Sequence, residues 1–227
     1  MIANRVIEVI KANLGNIIAL RDTKMLKEDN SYVSRGDLLC EELMKQLIRE
    51  EYPEYALISE ESPQGNIKAY ESDKLVILDP IDGTENFVSG LKEWGVSFCV
   101  YENGRCTEAL LALPELGEYM TSKDVDVNKF RSRIAGISSS LTKEDLMKLE
   151  SGFEYRIIGC CVYNMYQVVT GAFYSFENPK GAKVWDIIAG LNLALQHGLR
   201  VSVNNQEYHG ELLRPDERYR FRICQSY

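Results

Sequence analysis

Two aspartates three positions apart directly follow an apolar run of the sequence. Leu75–Leu78 reads Leu-Val-Ile-Leu, which predicts a buried strand, and Asp79 and Asp82 come next, with Pro80 stiffening the backbone between them. Two carboxylates at the tip of a buried strand repel each other unless a cation lies between them, and a hard divalent cation such as Mg²⁺ prefers oxygen ligands of this kind. The alternative is an ordinary strand, turn and helix with solvated aspartates.

Gly83 and Thr84 restart the chain after these aspartates, in what the sequence predicts to be the first turn of a helix. The unpaired backbone amides at a helix start favour an anion such as phosphate. Glycine also permits a ligand to approach the backbone closely. The stretch therefore predicts a place where divalent cations and a phosphate group meet.

Further acidic residues occur at two other boundaries of apolar segments. Glu60 and Glu61 follow the apolar segment Tyr55–Ile58, and Trp185-Asp186 opens an apolar helix far downstream. With these elements the chain resembles the inositol monophosphatase family, within the wider group of Mg²⁺-dependent, lithium-sensitive sugar phosphatases. That family carries a Glu-Glu element, then Asp-Pro-Ile/Leu-Asp-Gly-Thr/Ser, then Trp-Asp, and all three occur here in that order.

The resemblance implies a set of metal ligands. The implied ligands of two Mg²⁺ ions are Glu60, Asp79, the backbone carbonyl of Ile81, Asp82 and Asp186, with Asp79 bridging the two ions. Two cations that share a carboxylate lie about 4 Å apart and neutralise both the attacking and the leaving oxygen of an in-line displacement. Glu61 either contributes to a weaker third ion or faces solvent, and Asp37 either lies near that third ion or caps its helix. Mn²⁺ is the alternative to Mg²⁺.

The resemblance also implies how a phosphate ester is bound and attacked. Glu60 and Thr84 would orient and activate a cation-bound water as the nucleophile, with Asp82 as the third catalytic residue. The backbone amides of Gly83 and Thr84 would cradle the phosphate.

Three residues are predicted contacts of the rest of the substrate. Cys161 belongs to a segment whose backbone meets substrate hydroxyls in the family, although Cys160 and Cys161 replace the small residues usual there. Glu177 resembles an acidic residue that accepts hydrogen bonds from a polyol, or it is a solvated loop carboxylate. Lys183, together with Lys180, would bind a second phosphate, or both lysines belong to a solvated loop.

The function implied by the resemblance is Mg²⁺-dependent hydrolysis of inositol monophosphate or a related sugar phosphate by a metal-activated water. Within the same class of enzyme, the alternatives are a fructose-1,6-bisphosphatase, alone or as a dual activity, and then a 3′-phosphoadenosine 5′-phosphate phosphatase. A different class is a non-catalytic metal-binding protein that keeps the fold. The presence of every expected carboxylate argues against that class.

The composition limits the classes of partner. With 26 Lys and Arg against 34 Asp and Glu the net charge is −8, which argues against a nucleic-acid binder that relies on general attraction to phosphates. No apolar run reaches the ~18 residues of a membrane span, and the N-terminal segment is amphipathic rather than a secretion signal. The 6 cysteines form no Cys-x-x-Cys pair, so we expect reduced thiols in a cytoplasmic protein. The expected partner is a small-molecule substrate, with no nucleic-acid and no membrane partner.

Apolar periodicity favours an α+β protein in two parts. Residues 1–122 predict two helices and an antiparallel sheet with a hairpin turned at Glu102–Arg105, and residues 123–227 predict alternating helices and strands of a mixed sheet. The polar segment Arg21–Ser34 is predicted to be a surface loop. The resemblance implies the same layered α-β-α-β-α arrangement, with the active site between the two parts.

The last predicted strand, Arg218–Cys224, lies a few residues from the end of the sequence. Relatives continue into a closing helix. The hypothesis for this chain is that the surface such a helix would cover forms a homodimer interface.

Overall fold

Helices and strands fill most of the computed structural model, which describes residues 1–27, 31–63, 66–127 and 129–226. The helices are α1 (Ile2–Ile18), α2 (Arg35–Glu51), α3 (Asn66–Tyr70), α4 (Thr84–Val88), α5 (Lys143–Leu146), α6 (Cys161–Val169) and α7 (Val184–Gln196). The strands are β1 (Met25–Leu26), β2 (Tyr32–Val33), β3 (Ala56–Ser59), β4 (Lys74–Asp82), β5 (Gly95–Glu102), β6 (Arg105–Leu113), β7 (Glu118–Thr121), β8 (Ile134–Ile137), β9 (Glu154–Arg156), β10 (Ser175–Ala182), β11 (Arg200–Val203), β12 (Gln206–Glu207) and β13 (Tyr219–Cys224).

The first sheet contains the strand that carries the two motif aspartates. Its strand order is β3-β4-β5-β6-β7, with β3 parallel to β4 and the other neighbours antiparallel. The predicted hairpin between β5 and β6 is confirmed, and Asn103 and Gly104 at its turn have φ values of 51° and 75°. The pairing of β4 with β5 shifts register between Asp79 and Asp82, where Pro80 has no amide hydrogen to donate. The motif therefore lies on a bulge at the end of β4.

The two faces of this sheet pack against different helices. Val76, Leu78 and Phe98 belong to the core cluster that contains α1 and α2. Ile77 and Cys99 belong to the opposite face, in the cluster that contains α6 and α7. Successive side chains of a strand point to opposite faces, so a strand covered on both sides is apolar along its whole length, as the motif strand is.

The second sheet has the order β12-β11-β13-β10-β8-β9 and is mixed. β8 is parallel to both β9 and β10, and the other neighbours are antiparallel. Phe176 and Phe221 of this sheet share one core cluster with Ile188 of α7, so α6 and α7 lie between the two sheets. On the outer face, α5 borders Glu177. The predicted α+β class with α-β-α-β-α layers is confirmed.

Two segments differ from the sequence prediction. The polar segment Arg21–Ser34 contains the antiparallel pair of β1 and β2, whose two-residue strands are too short to show a period. β10 continues through a segment predicted to be a loop, and its pairing with β13 shifts register between Asn178 and Ala182. A bulge of this kind accommodates proline and glycine inside a strand, which explains why the composition indicated a loop.

The strands of the first sheet lie within residues 56–121 and those of the second within 134–224. α6 and α7 come from the second part of the chain but pack on both sheets. The predicted boundary at residue 122 thus falls between the strands of the two sheets. That it divides the chain into two domains stays a prediction. Among the described residues, no helix combines the length and the apolar character that a membrane span requires.

Candidate active site

Three carboxylates that are remote in the sequence meet at one end of the first sheet. Glu60 directly follows β3, Asp79 lies in β4, and Asp186 lies in the first turn of α7. One ligand oxygen of each lies within 4.8 Å of those of the other two. β3 and β4 are parallel neighbours that end at the same edge of the sheet, and α7 packs against β4 on one face of that sheet. The topology therefore brings the three residues together.

Asp79 is the most buried of the three, with 1% of its surface exposed. Its Oδ1 accepts a hydrogen bond from the Ile81 amide at 3.1 Å, and its Oδ2 has no hydrogen-bond partner among the described residues. Burial, followed by the negative charges of Glu60 and Asp82, raises the pKa of Asp79 well above its ordinary value. An unpaired, buried carboxylate oxygen among other carboxylates fits a divalent cation, which would satisfy the oxygen and cancel the repulsion.

Asp82 borders the same site from the bulge at the end of β4. Its Oδ2 accepts hydrogen bonds from the Val162 amide at 2.5 Å and from Cys160 Sγ at 2.9 Å. Burial raises the pKa of Asp82 to about 6, although these hydrogen bonds lower it. Asp82 lies outside the three-carboxylate cluster but lines one cavity with Asp186. All four predicted acidic ligands thus face one place in the fold.

Three helices begin around these carboxylates. α4 starts two residues after Asp82, and α6 directs the amide of Val162 at Asp82. At the start of α7, Asp186 Oδ2 accepts a hydrogen bond from the Lys183 amide at 2.9 Å. A helix N-terminus favours negative charge because its first amides are unpaired. The three N-termini therefore offset part of the repulsion among the acidic groups.

Gly83 makes the close approach of two of these helices possible. Its φ is 81°, in the left-handed region that glycine adopts readily. A Cβ atom built on Gly83 would lie 2.9 Å from the Cβ of Cys160, so a larger residue would push α4 away from α6. The predicted phosphate-binding amides of Gly83 and Thr84 lie at this junction.

Thr84 and Asp37 connect the start of α4 to the start of α2. Thr84 Oγ1 lies 3.0 Å from Asp37 Oδ1 and 3.1 Å from the carbonyl oxygen of Ile81, so its hydroxyl donates to one of the two. Asp37 also caps α2, because its Oδ2 accepts from the amide of Ser34 at 2.8 Å. Both interpretations of Asp37 are therefore compatible with the structure, which places it as a helix cap beside the predicted catalytic threonine.

Lys27 is a site residue that the sequence did not indicate. Its Nζ lies 3.0 Å from Glu60 Oε1 and 2.6 Å from Glu61 Oε1. Burial, and then the charge of Glu60, raises the pKa of Glu61 to about 7 in spite of this ammonium group. Lys27 follows β1 in the segment predicted to be a loop, and its partners lie more than thirty residues away. No spacing rule relates positions that far apart.

A polar cavity of about 230 Å³ opens beside Asp82 and Asp186. It is lined by Asp82, Ser138, Ser139, Gly159, Cys160, Cys161, Asn164, Phe176, Asn178, Lys180, Gly181, Ala182, Asp186 and Arg218. The predicted contact Cys161 is part of this wall. Burial and the charge of Asp82 raise the pKa of its thiol well above the ordinary value, so Cys161 offers a neutral thiol here.

The other two predicted substrate contacts lie elsewhere among the described residues. Lys183 Nζ lies 3.4 Å from the carbonyl oxygen of Pro215 and 3.2 Å from that of Asp216, which anchors a loop. Glu177 lies on the outer face of the second sheet, with Oε2 4.0 Å from Nη1 of Arg222. The basic side chains that line the cavity are instead those of Lys180 and Arg218. Of these two residues, only Lys180 was predicted from the sequence.

Comparison with known proteins identifies the family. The profile of the inositol monophosphatase family matches residues 1–132. The protein named Nus factor SuhB from Pasteurella multocida is 30% identical over 210 residues, which is 78% of this chain and 75% of that protein. The Nus factor SuhB of Escherichia coli K12 is 30% identical over 202 residues, 78% of this chain and 73% of its own length. This chain belongs to the inositol monophosphatase family.

Solved structures agree with the fold. An inositol monophosphatase from Thermotoga maritima superposes with a TM-score of 0.79 at 21% identity and covers 97% of this chain and 91% of its own. A structure described as an IMPase/NADP phosphatase with Mg²⁺ and phosphate gives a TM-score of 0.78 at 21% identity, over 96% and 86% of the two chains. At this identity the likeness establishes the fold. The family that the motifs predicted is confirmed.

Proposed function

We propose that this protein is a divalent-cation-dependent phosphomonoesterase acting on inositol monophosphate or a related sugar phosphate. The observation that carries the proposal is the meeting of Glu60, Asp79 and Asp186 around the unpaired Oδ2 of Asp79, next to a polar cavity large enough for a small phosphate ester. Membership of the family supports the same reaction class.

The residues present fit two or three divalent cations, Mg²⁺ or Mn²⁺. The residues that would hold the first two are Glu60, Asp79, the carbonyl of Ile81, Asp82 and Asp186, and a third would use Glu61 and Asp37. Bound cations would neutralise the phosphate oxygens and lower the pKa of the attacking water. Every donor in this set is an oxygen atom, as hard cations require.

The chain's own groups bind the ester and move the proton. Asp37, fixed as the cap of α2, orients the hydroxyl of Thr84. Glu60, whose side chain is partly exposed and lies in the cluster with Asp186, is the base that would take the proton of the attacking water. The amides of Gly83 and Thr84 would hold the phosphate. The start of α6, with Cys161, faces the space for the alcohol.

A fructose-1,6-bisphosphatase activity, alone or as a dual activity, is the runner-up because two basic side chains border the cavity. Lys180 and Arg218 border the cavity and would bind a second phosphate, although Nη1 of Arg218 also donates to the carbonyl of Gly181 at 3.1 Å. Lys183 is not among the residues that line the cavity, and its ammonium group lies beside the carbonyls of Pro215 and Asp216. Cleavage of 3′-phosphoadenosine 5′-phosphate is the third option.

Initial rates with inositol 1-phosphate, fructose 1,6-bisphosphate and 3′-phosphoadenosine 5′-phosphate, measured side by side with Mg²⁺ and with Mn²⁺, test the proposal. We expect cation-dependent release of phosphate that a chelator abolishes. Release of no phosphate from any of the three would leave a non-catalytic metal-binding protein as the better account. The expected homodimer stays a prediction.

A role as a Nus factor is the second candidate, favoured by the identity to proteins that carry this name. The expectation that no nucleic acid is a partner accordingly stays a prediction. Complementation of an Escherichia coli strain that lacks its Nus factor SuhB tests this role. Rescue by both the wild-type chain and an Asp79→Asn variant would show a function that is independent of ester hydrolysis, and rescue by neither would remove the candidate.

A further inference from the structure

Ser97 lies directly opposite Asp79 in the first sheet. The two residues are partners in the antiparallel register of β4 and β5. Their neighbours Leu78 and Phe98 face the layer of α1 and α2, so Asp79 and Ser97 both face the layer of α6 and α7. Directly opposed residues have Cβ atoms about 4.5–5.5 Å apart. The hydroxyl and the carboxylate are therefore side by side on the face that carries the acidic cluster.

Both groups are buried, and each has one oxygen that is unpaired among the described residues. Asp79 and Ser97 are each 1% exposed, and neither Asp79 Oδ2 nor Ser97 Oγ has a hydrogen-bond partner among the described residues. Unpaired buried polar atoms are uncommon in folded proteins, and two at directly opposed positions call for a common explanation. The apolar side chains of the surrounding core cluster offer no hydrogen-bonding group to either oxygen.

The sheet places Asp79 between two different neighbours. On the side of β3 lies Glu60, which shares the acidic cluster. On the side of β5 lies Ser97, a neutral group with one hydrogen to donate. A carboxylate can accept several hydrogen bonds, and Asp79 uses Oδ1 for the Ile81 amide. Its other oxygen can accept from the serine while it also faces a cation.

We propose that Ser97 is a positioning residue for the divalent-cation site. Its hydroxyl, by rotation about a single side-chain bond, donates to Asp79 Oδ2 when cations are bound and fixes the orientation of the carboxylate that bridges them. Groups that hold metal ligands in place commonly change metal affinity 10- to 100-fold when they are removed. This inference rests on the cation site of the proposed function but not on the identity of the ester.

Ser59 provides a matched control. It is also 1% exposed with an unpaired Oγ, and it lies in β3, the strand on the other side of β4. Its neighbour Ile58 belongs to the cluster of α6 and α7, so the side chain of Ser59 faces α2, away from the acidic cluster. Removal of its hydroxyl changes a buried serine without touching Asp79.

The test is a calorimetric titration of cation-free protein with MnCl₂ and with MgCl₂, without substrate, for the wild type, Ser97→Ala, Ser97→Cys and Ser59→Ala. We expect about 10-fold or greater loss of cation affinity in both Ser97 variants, because cysteine fills the space but donates weakly. Ser59→Ala should bind as the wild type does. Circular dichroism of the cation-free proteins should give equal spectra for all four.

Cation affinity in Ser97→Ala and Ser97→Cys equal to that of the wild type would overturn the proposal, even with an active phosphatase. A loss in Ser97→Ala that Ser97→Cys restores would also overturn it, because packing rather than hydrogen bonding would then be the cause. If Ser97→Ala is unfolded, Ser97→Cys alone decides. Weaker binding in both variants of a protein that hydrolyses no ester would support the role of Ser97 and refute only the phosphatase activity.

Discussion

The carboxylate cluster and the wall of the cavity adjoin each other but are built in different ways. Asp79 is 1% exposed and fixed by the pairing of β4 within the sheet, and Glu60 follows the parallel neighbour of that strand. Lys180 and Arg218 are exposed, one on the bulge of β10 and the other just before β13. The backbone thus fixes the proposed metal ligands, while long side chains at a surface border the cavity proposed to hold the rest of the substrate.

This difference indicates where the protein tolerates change. A group at a buried strand end cannot move without the sheet, so we expect its substitution to have the larger effect on function. Exposed basic residues in segments of irregular backbone, such as Lys180 and Arg218, can be replaced at small cost in stability. We therefore expect the reaction class to depend on the cluster and the choice of ester to depend on the cavity wall.

The largest effect is expected for Asp79→Asn. The amide keeps the shape but cannot bridge two cations, so phosphate release from the preferred ester should fall by about 10³-fold or more. The cation-free variant should unfold at the same temperature as the wild type or higher, since a buried repulsive carboxylate is gone. Asp73→Asn, at an exposed residue just before the opposite end of β4, should keep full activity. Wild-type rates in Asp79→Asn would refute the bridging role.

The cluster should also make stability depend on pH when cations are absent. Burial raises the pKa of Asp82 to about 6 and that of Glu61 to about 7, so the folded protein holds protons that the unfolded chain has lost. The free energy of unfolding should therefore fall as the pH rises from about 4 to 8.

Urea unfolding between pH 4 and pH 8, with a chelator and with saturating Mg²⁺, measures this dependence. Bound cations compensate the ionised carboxylates, so Mg²⁺ should remove most of the fall. Identical pH profiles under the two conditions would contradict the electrostatic account of the cluster.

The cavity wall should affect substrate choice rather than the reaction. Arg218→Ala should reduce cleavage of fructose 1,6-bisphosphate about tenfold more than cleavage of inositol 1-phosphate, because a charge-assisted hydrogen bond to a second phosphate is lost. Lys183→Ala, whose ammonium group faces the carbonyls of Pro215 and Asp216, is the matched control and should change both rates equally. Equal effects of Arg218→Ala on the two esters would dismiss the second-phosphate site.

The smallest effect is expected at the edge of the cluster. Lys27 neutralises Glu60 and Glu61 in the absence of cations, so Lys27→Met should lower the free energy of unfolding of the cation-free protein by about 1–2 kcal/mol. Added Mg²⁺ should then raise the melting temperature more than it does in the wild type. Lys24→Met, which removes an exposed lysine of the same segment, is the control. An unchanged response to Mg²⁺ would remove Lys27 from the site.

The carboxylate cluster could be predicted from the sequence because its members mark the ends of apolar segments. Asp79, together with Asp82 beside the cluster, follows the apolar run of β4, and the motif that contains both is long enough to indicate a family. The hairpin at Asn103-Gly104 could be predicted because its turn needs residues that adopt positive φ. In each case local sequence fixes local structure.

The rest depends on contacts between distant segments. Lys27, which contacts Glu60, follows β1 directly, and β1 and its partner β2 are too short to show a period. Arg218 reaches the cavity because β13 pairs with β10, and Ser97 meets Asp79 because β5 pairs with β4. No spacing along the chain encodes these pairings, so a single sequence indicates the candidate ligands but not the groups that surround them.

Anomalous diffraction from crystals of the wild-type protein grown with MnCl₂ tests the central claim most directly. The account predicts anomalous peaks in contact with Glu60, Asp79 and Asp186, with two ions about 4 Å apart on either side of the Asp79 carboxylate. Crystals of Asp79→Asn should lack at least one of them. Manganese bound only elsewhere, or none bound at all, would contradict it.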